Sequence, residues 1–89
     1  MKVDFKKITV TNVQGNPVPF NMAQQIGELL YNTTNTLASL ELARRIYNSD
    51  GEIEMTVTEW SDVKNCVENN TTARVRMAFN EYEKTLKLD

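Results

Sequence analysis

The sequence predicts an α+β fold in which a small antiparallel sheet packs against four helices, in the order ββααβαα. Three observations predict this class. Apolar and polar residues alternate near the N-terminus and again at residues 52–55, as half-buried strands require. Longer stretches between and after these segments place apolar residues at helical spacing. Residues typical of helix caps stand immediately before the longer stretches.

The first twenty residues are predicted to form a β-hairpin. The alternation that begins at Val3 changes parity before Ile8, which indicates either a bulge or a strand buried partly on both faces. Residues 12–17 (Asn-Val-Gln-Gly-Asn-Pro) are dense in turn formers and should reverse the chain. Residues 18–20 then form a short return strand, which Pro19 confines to an edge or a strand end.

The first two helices follow this hairpin. Asn21 is predicted to cap a helix that runs to about Tyr31, and the polar residues 32–35 mark the break after it. A second helix follows, and we expect its apolar residues to line one buried face. These residues are Leu37, Leu40, Ala43, Ile46 and Tyr47.

A short strand and two further helices complete the predicted fold. Residues 52–55 alternate and should add the third strand of the sheet. Thr56 and Glu59 have the spacing of a capping box, with Trp60 on the buried stripe of the helix that follows. Cys66 lies near that stripe, where we expect a buried small hydrophobe. The last helix has an apolar face of Val75, Ala78, Phe79, Tyr82 and Leu86.

Length and composition indicate one small globular domain over residues 1–89. Of the 89 residues, 40% are hydrophobic and 25% are charged, which is typical of a folded domain. The N-terminus lacks the apolar run of a signal peptide, and no segment has the length and hydrophobicity of a membrane span. We therefore expect a cytoplasmic protein that does not associate with a membrane.

The residues that usually perform catalysis are scarce. The chain has no histidine and one cysteine, and its carboxylates are scattered along predicted turns and helix faces. Enzymes usually assemble a nucleophile with a base, a set of metal ligands or a phosphate-binding glycine loop. The sequence predicts that this protein is not an enzyme, with no catalytic residue, metal ion or cofactor.

The leading hypothesis is therefore a protein-interaction module. An exposed sheet edge can pair with a strand of a partner or of a second copy. We expect such an edge at the predicted return strand, with basic residues of the N-terminus beside it. This N-terminal surface consists of Lys2, Lys6, Lys7, Val18 and Phe20.

The alternative hypothesis is a small DNA-associated regulator. The last two predicted helices, joined by residues 69–72 (Asn-Asn-Thr-Thr), have the order of a helix-turn-helix pair. Arg74 and Arg76 stand near the start of the helix that would read DNA. The preceding helix carries several acidic residues, which would face the phosphate backbone unfavourably, so this pattern counts against nucleic-acid binding.

Several segments resemble small proteins encoded by tailed phages and prophages. Those proteins open with a strand similar to Met-Lys-Ile-Asp-Phe, and they carry an Ala-x-x-Ile-Tyr helix end and an Ile-Glu-Leu strand. The corresponding segments here are residues 1–7, 15–18, 41–47 and 51–56. The resemblance implies a mobile-element product that acts as an accessory to virion assembly, and it implies no particular functional residues.

Overall fold

The structure of the chain is a computed structural model that describes residues 1–86. It is an α+β fold, as predicted, with four α-helices and a small antiparallel sheet. The predicted order ββααβαα is followed, with the second β position reduced to a single bridge. In chain order the elements are β1 (Lys2–Asp4), a 3-10 turn (Phe5–Lys7), α1 (Met22–Thr33), α2 (Leu37–Tyr47), β2 (Glu52–Glu54), α3 (Val57–Asn70) and α4 (Ala73–Glu83).

The sheet joins the N-terminus to the middle of the chain. β1 pairs antiparallel with β2, and Val3 lies opposite Ile53. Val3 is fully buried and Ile53 packs partly against the core, so the inner face of the sheet is apolar. Lys2 and its partner Glu54 are exposed, which gives the period-two alternation expected of a half-buried sheet.

The predicted N-terminal hairpin needs a correction. Residues 12–16 do reverse the chain, because the Asn12 side chain accepts hydrogen bonds from the N–H groups of Gln14 and Asn16, both at 3.0 Å. The two arms meet only in a bridge between Thr11 and Pro17 and in a bond from the Val18 N–H to the Val10 carbonyl. Residues 18–20 therefore lie outside the sheet.

The change of parity before Ile8 arises from the 3-10 turn. Its first residue, Phe5, is buried, and the Asp4 side chain accepts a hydrogen bond of 2.9 Å from the Lys6 N–H. The turn rotates the chain between the strand and the following segment, so Val3, Phe5 and Ile8 all reach the core despite their different parity.

Helix starts follow the predicted caps. The Asn21 side chain accepts a hydrogen bond of 3.1 Å from the Gln24 N–H at the start of α1. At the start of α3, Thr56 and Glu59 form the full capping box, with bonds of 3.0 and 2.9 Å. These two caps are local in sequence, so the starts of α1 and α3 are determined by residues within one turn of each helix.

α1 and α2 form an antiparallel helical hairpin that depends on Gly27. A β-carbon added at Gly27 would lie 2.7 Å from the backbone nitrogen of Tyr47 and 2.8 Å from its α-carbon. Such distances are too short for any real side chain, and a backbone cannot move aside as a flexible side chain can. Gly27 therefore sets how closely the two helices approach each other.

An aromatic cluster joins the N-terminus to the last two helices. The rings of Trp60 and Phe79 are stacked, with centroids 5.8 Å apart, and Phe5 is tilted against both at 6.4 and 6.3 Å. These three side chains are at most 2% exposed, and Cys66 is 9% exposed, as predicted for a small buried hydrophobe. The buried residues of all four helices belong to the same core.

Candidate protein-binding site

A groove lies between α1 and α2, with a volume of about 350 Å³. Its floor is made of small residues, Gly27 and Ala43, and its sides carry the rings of Tyr31 and Tyr47. Both tyrosines are 44% exposed. The residues that line this α1–α2 groove are Gly27, Glu28, Tyr31, Asn32, Ala43, Arg44, Tyr47 and Asn48.

Arg44 lies over one of these rings. Its guanidinium carbon is 5.8 Å from the centroid of Tyr31, the geometry of a cation–π contact. The interaction with Tyr31 raises the pKa of Arg44 above its usual range, and the charge of Glu41 adds to this. The contact holds the Arg44 side chain over the Tyr31 ring, and the residue remains exposed to solvent.

The ion pairing of Glu28 and Arg44 differs from that of the neighbouring Arg45. The neighbouring Arg45 is paired with Glu59 at 3.0 Å and also donates to the Glu54 carbonyl. Within residues 1–86, neither Glu28 nor Arg44 has an oppositely charged group at ion-pair distance. The groove thus presents an acid on α1 and a base on α2.

The lysines of the N-terminal surface lie among acids. Lys6 forms an ion pair with Asp50, and this bond raises the pKa of Lys6 and lowers that of Asp50. Lys2 and Lys7 line a depression on the outer side of the sheet. Acidic side chains of β2 line the same depression, so the surface is mixed in charge rather than basic.

The two apolar members of the N-terminal surface differ in burial. Val18 packs partly against the core, whereas Phe20 is 43% exposed. Residues 18–20 provide no sheet edge, since they lie outside the sheet. The actual edges are covered in part, because Tyr82 accepts a hydrogen bond of 2.8 Å from the Asp4 N–H and Arg45 binds the Glu54 carbonyl.

The arginines of the DNA hypothesis lie at the start of α4. Arg74 is exposed, whereas Arg76 is half-buried and donates a hydrogen bond of 3.2 Å to the Glu68 carbonyl near the end of α3. This bond directs one arginine back to the preceding helix. DNA association stays a prediction, and a binding titration against salt with Arg74 and Arg76 replaced by alanine tests it.

The apolar periodicity of α2 predicts Tyr47 in the core, and for this reason the α1–α2 groove is not apparent from the sequence. Tyr47 was expected on the buried face together with Leu37, yet these side chains are 44% and 80% exposed. One signal was present. Gly27 stands in the middle of a predicted helix, where glycine is unfavourable unless another backbone comes close.

Two other classes of site concern residues 1–86, namely metal sites and membrane-spanning helices. No group of three or more acidic or cysteine side chains is placed to hold a metal ion in this part of the chain. None of its helices has both the length and the hydrophobicity needed to cross a membrane.

Comparisons of the chain with models of protein families, with curated proteins and with solved structures found no match.

Proposed function

We propose that this protein is a non-enzymatic interaction module that binds a protein partner in the α1–α2 groove. The observation that carries the proposal is the grouping of Tyr31, Tyr47 and Arg44 around a floor of small residues. Tyrosine and arginine are enriched among the residues that dominate binding energies at protein interfaces. Tyrosines that are half-exposed in the free protein gain contact area when a partner covers them.

The biological setting is part of the same proposal. The resemblance of residues 1–7, 41–47 and 51–56 to small proteins of tailed phages and prophages supports a role as an accessory or assembly protein. We place the protein in the cytoplasm of the host cell, where virion components are made. The N-terminal surface remains the competing binding site, because Phe20 is exposed and Lys2 and Lys7 are accessible.

Quantitative affinity capture tests the proposal and compares the two surfaces. The tagged chain is expressed in host cells together with a copy that bears a different epitope tag, and bound proteins are quantified by mass spectrometry with and without nuclease. One variant changes Tyr31 and Arg44 to alanine, and the matched control changes Lys2 and Lys7 to alanine. Circular dichroism and thermal unfolding establish that both variants fold, as expected for exposed side chains.

The groove variant should lose at least about nine-tenths of its bound partner, because removal of one hot-spot residue commonly costs more than 1.4 kcal/mol. The lysine variant should retain its partner. The opposite pattern would move the site to the N-terminal surface, and equal binding by all three proteins would contradict the groove proposal. Capture that vanishes with nuclease and with Arg74 and Arg76 changed to alanine would favour the DNA hypothesis.

A further inference from the structure

We infer that the partner in the α1–α2 groove is a second copy of this chain, related by a twofold axis. The inference rests on the proposed function and names the occupant of the same site. Its basis is the charge pattern of the groove, to which α1 contributes Glu28 and α2 contributes Arg44. Neither charge is paired within the part of the chain that the structure describes.

A twofold axis exchanges equivalent points on two facing surfaces. If the axis lies in the plane of the groove and crosses the midpoint of the line from Glu28 to Arg44 at a right angle, it places Glu28 of each copy opposite Arg44 of the other. Two reciprocal ion pairs then form, because each copy supplies one acid and one base. An unrelated partner would have to present the opposite charges at the same separation, whereas a second copy does so by symmetry.

The other lining residues are compatible with this arrangement. Asn32 and Asn48 stand at opposite walls of the groove, and each amide can both donate and accept a hydrogen bond. The tyrosine rings supply apolar area that is half-exposed in a single copy. A chain of 89 residues also has a thin core, so covering this face adds to the stability of the folded chain.

A competing charge is that of Glu41, one turn before Arg44 on α2. It acts on Arg44 electrostatically, but it forms no ion pair with Arg44 and does not line the groove. Glu41→Arg therefore serves as a matched control for Glu28→Arg, because both substitutions change the net charge by the same amount. Only Glu28→Arg brings like charges together across the twofold axis.

The test is sedimentation of the purified chain by analytical ultracentrifugation, at concentrations up to about 1 mM, where weak dimers are detectable. Wild-type protein and Glu41→Arg should form dimers. Glu28→Arg and Arg44→Glu should each raise the dimer dissociation constant by at least about tenfold, since like charges that face each other across an interface are costly.

Restoration makes the test specific for twofold symmetry. A protein with both Glu28→Arg and Arg44→Glu should dimerise again, because each arginine meets a glutamate of the other copy. An equimolar mixture of the two single variants should likewise form heterodimers.

Three results would overturn the inference: a monomer at every concentration, a dimer unaffected by the single substitutions, or no recovery in the double variant. A monomeric chain that still captures another protein through Tyr31 and Arg44 would overturn the second copy as partner and leave the proposed function standing.

Discussion

Glu83, the last residue of α4, holds two side chains of α3 with one carboxylate. Its Oε1 accepts a hydrogen bond of 2.8 Å from Lys64 Nζ, and its Oε2 accepts one of 2.7 Å from Trp60 Nε1. The bond from Lys64 lowers the pKa of Glu83, partial burial opposes this, and the bond from Trp60 lowers it further. The folded state therefore favours the ionised carboxylate.

This arrangement predicts a dependence of stability on pH. Because the pKa of Glu83 is lower in the folded chain than in the unfolded chain, its contribution is complete above the ordinary pKa of about 4.3. It decreases as the pH falls through the folded-state value. Urea unfolding at a series of pH values should show Glu83→Gln about 1 kcal/mol less stable than wild type at pH 7, with the difference shrinking below about pH 4.

Glu81→Gln is the control for this prediction. Among the described residues 1–86, Glu81 pairs with Lys84, one turn away, and both side chains are well exposed, so the pair adds little to stability. The free energy of unfolding of Glu81→Gln should follow that of wild type at every pH. A difference between Glu83→Gln and wild type that stays constant from pH 7 to pH 3 would contradict the assigned role of the carboxylate.

α3 and α4 differ in how their first turns are capped. Thr56 and Glu59 form a reciprocal capping box at α3, whereas Thr72 precedes α4 without a side-chain cap bond. Both N-caps are threonines, so the same substitution at each position separates the effect of the cap hydrogen bond from that of helix propensity.

Thr56→Ala should lower the free energy of unfolding by about 1 kcal/mol, the usual cost of losing an N-cap bond. Thr72→Ala should cost clearly less, because no cap bond is lost. Chemical unfolding of the two variants, monitored by circular dichroism, measures both values. Equal losses in the two variants would show that the capping box does not stabilise α3 as described.

The helices were predictable from the sequence because their signals are local. The cap residues Asn21 and Thr56 and the periodicity that follows them act within a few residues, and α1 and α3 begin where these signals place them. The sheet was less predictable, since β1 pairs with residues about fifty positions away and not with the neighbouring segment. Residues 17–20 offer few donors, because Pro17 and Pro19 have no N–H.

The candidate site was not predictable, because it depends on how two helices meet. The apolar face assigned to α2 was wider than the core can cover, so Leu37 and Tyr47 remain exposed. Which residues become groove and which become core depends on the close approach of Gly27 to Tyr47. The periodicity of a helix indicates the mean direction of its apolar face, but it does not reveal the contact between Gly27 and Tyr47.

At the scale of the whole molecule, Tyr82 connects the last helix to the first strand. Its hydroxyl accepts a hydrogen bond from the Asp4 N–H, which points away from β2 at the outer edge of β1. The Tyr82 ring also packs against Trp60, with centroids 6.2 Å apart. One side chain thus covers a strand edge and joins the aromatic cluster.

Tyr82→Phe keeps the ring and removes the acceptor for the Asp4 amide. We expect a loss of about 1 kcal/mol in the free energy of unfolding and about fivefold faster hydrogen exchange at Asp4. Tyr47→Phe, at the half-exposed wall of the groove, should leave both quantities unchanged. Unaltered exchange at Asp4 in Tyr82→Phe would mean that the hydroxyl does not protect this edge in solution.

The bond between Asp4 and Tyr82 spans 78 positions of the chain, and this distance bears on synthesis at the ribosome. α1 and α2 are adjacent along the chain, and they can associate as soon as both have emerged from the ribosome. The first strand must wait for β2 and then for α4, since loop closure over such separations is slow and needs the distant residues to be present. β1 is made before the other elements described here, and it is therefore among the last of them to reach its final place.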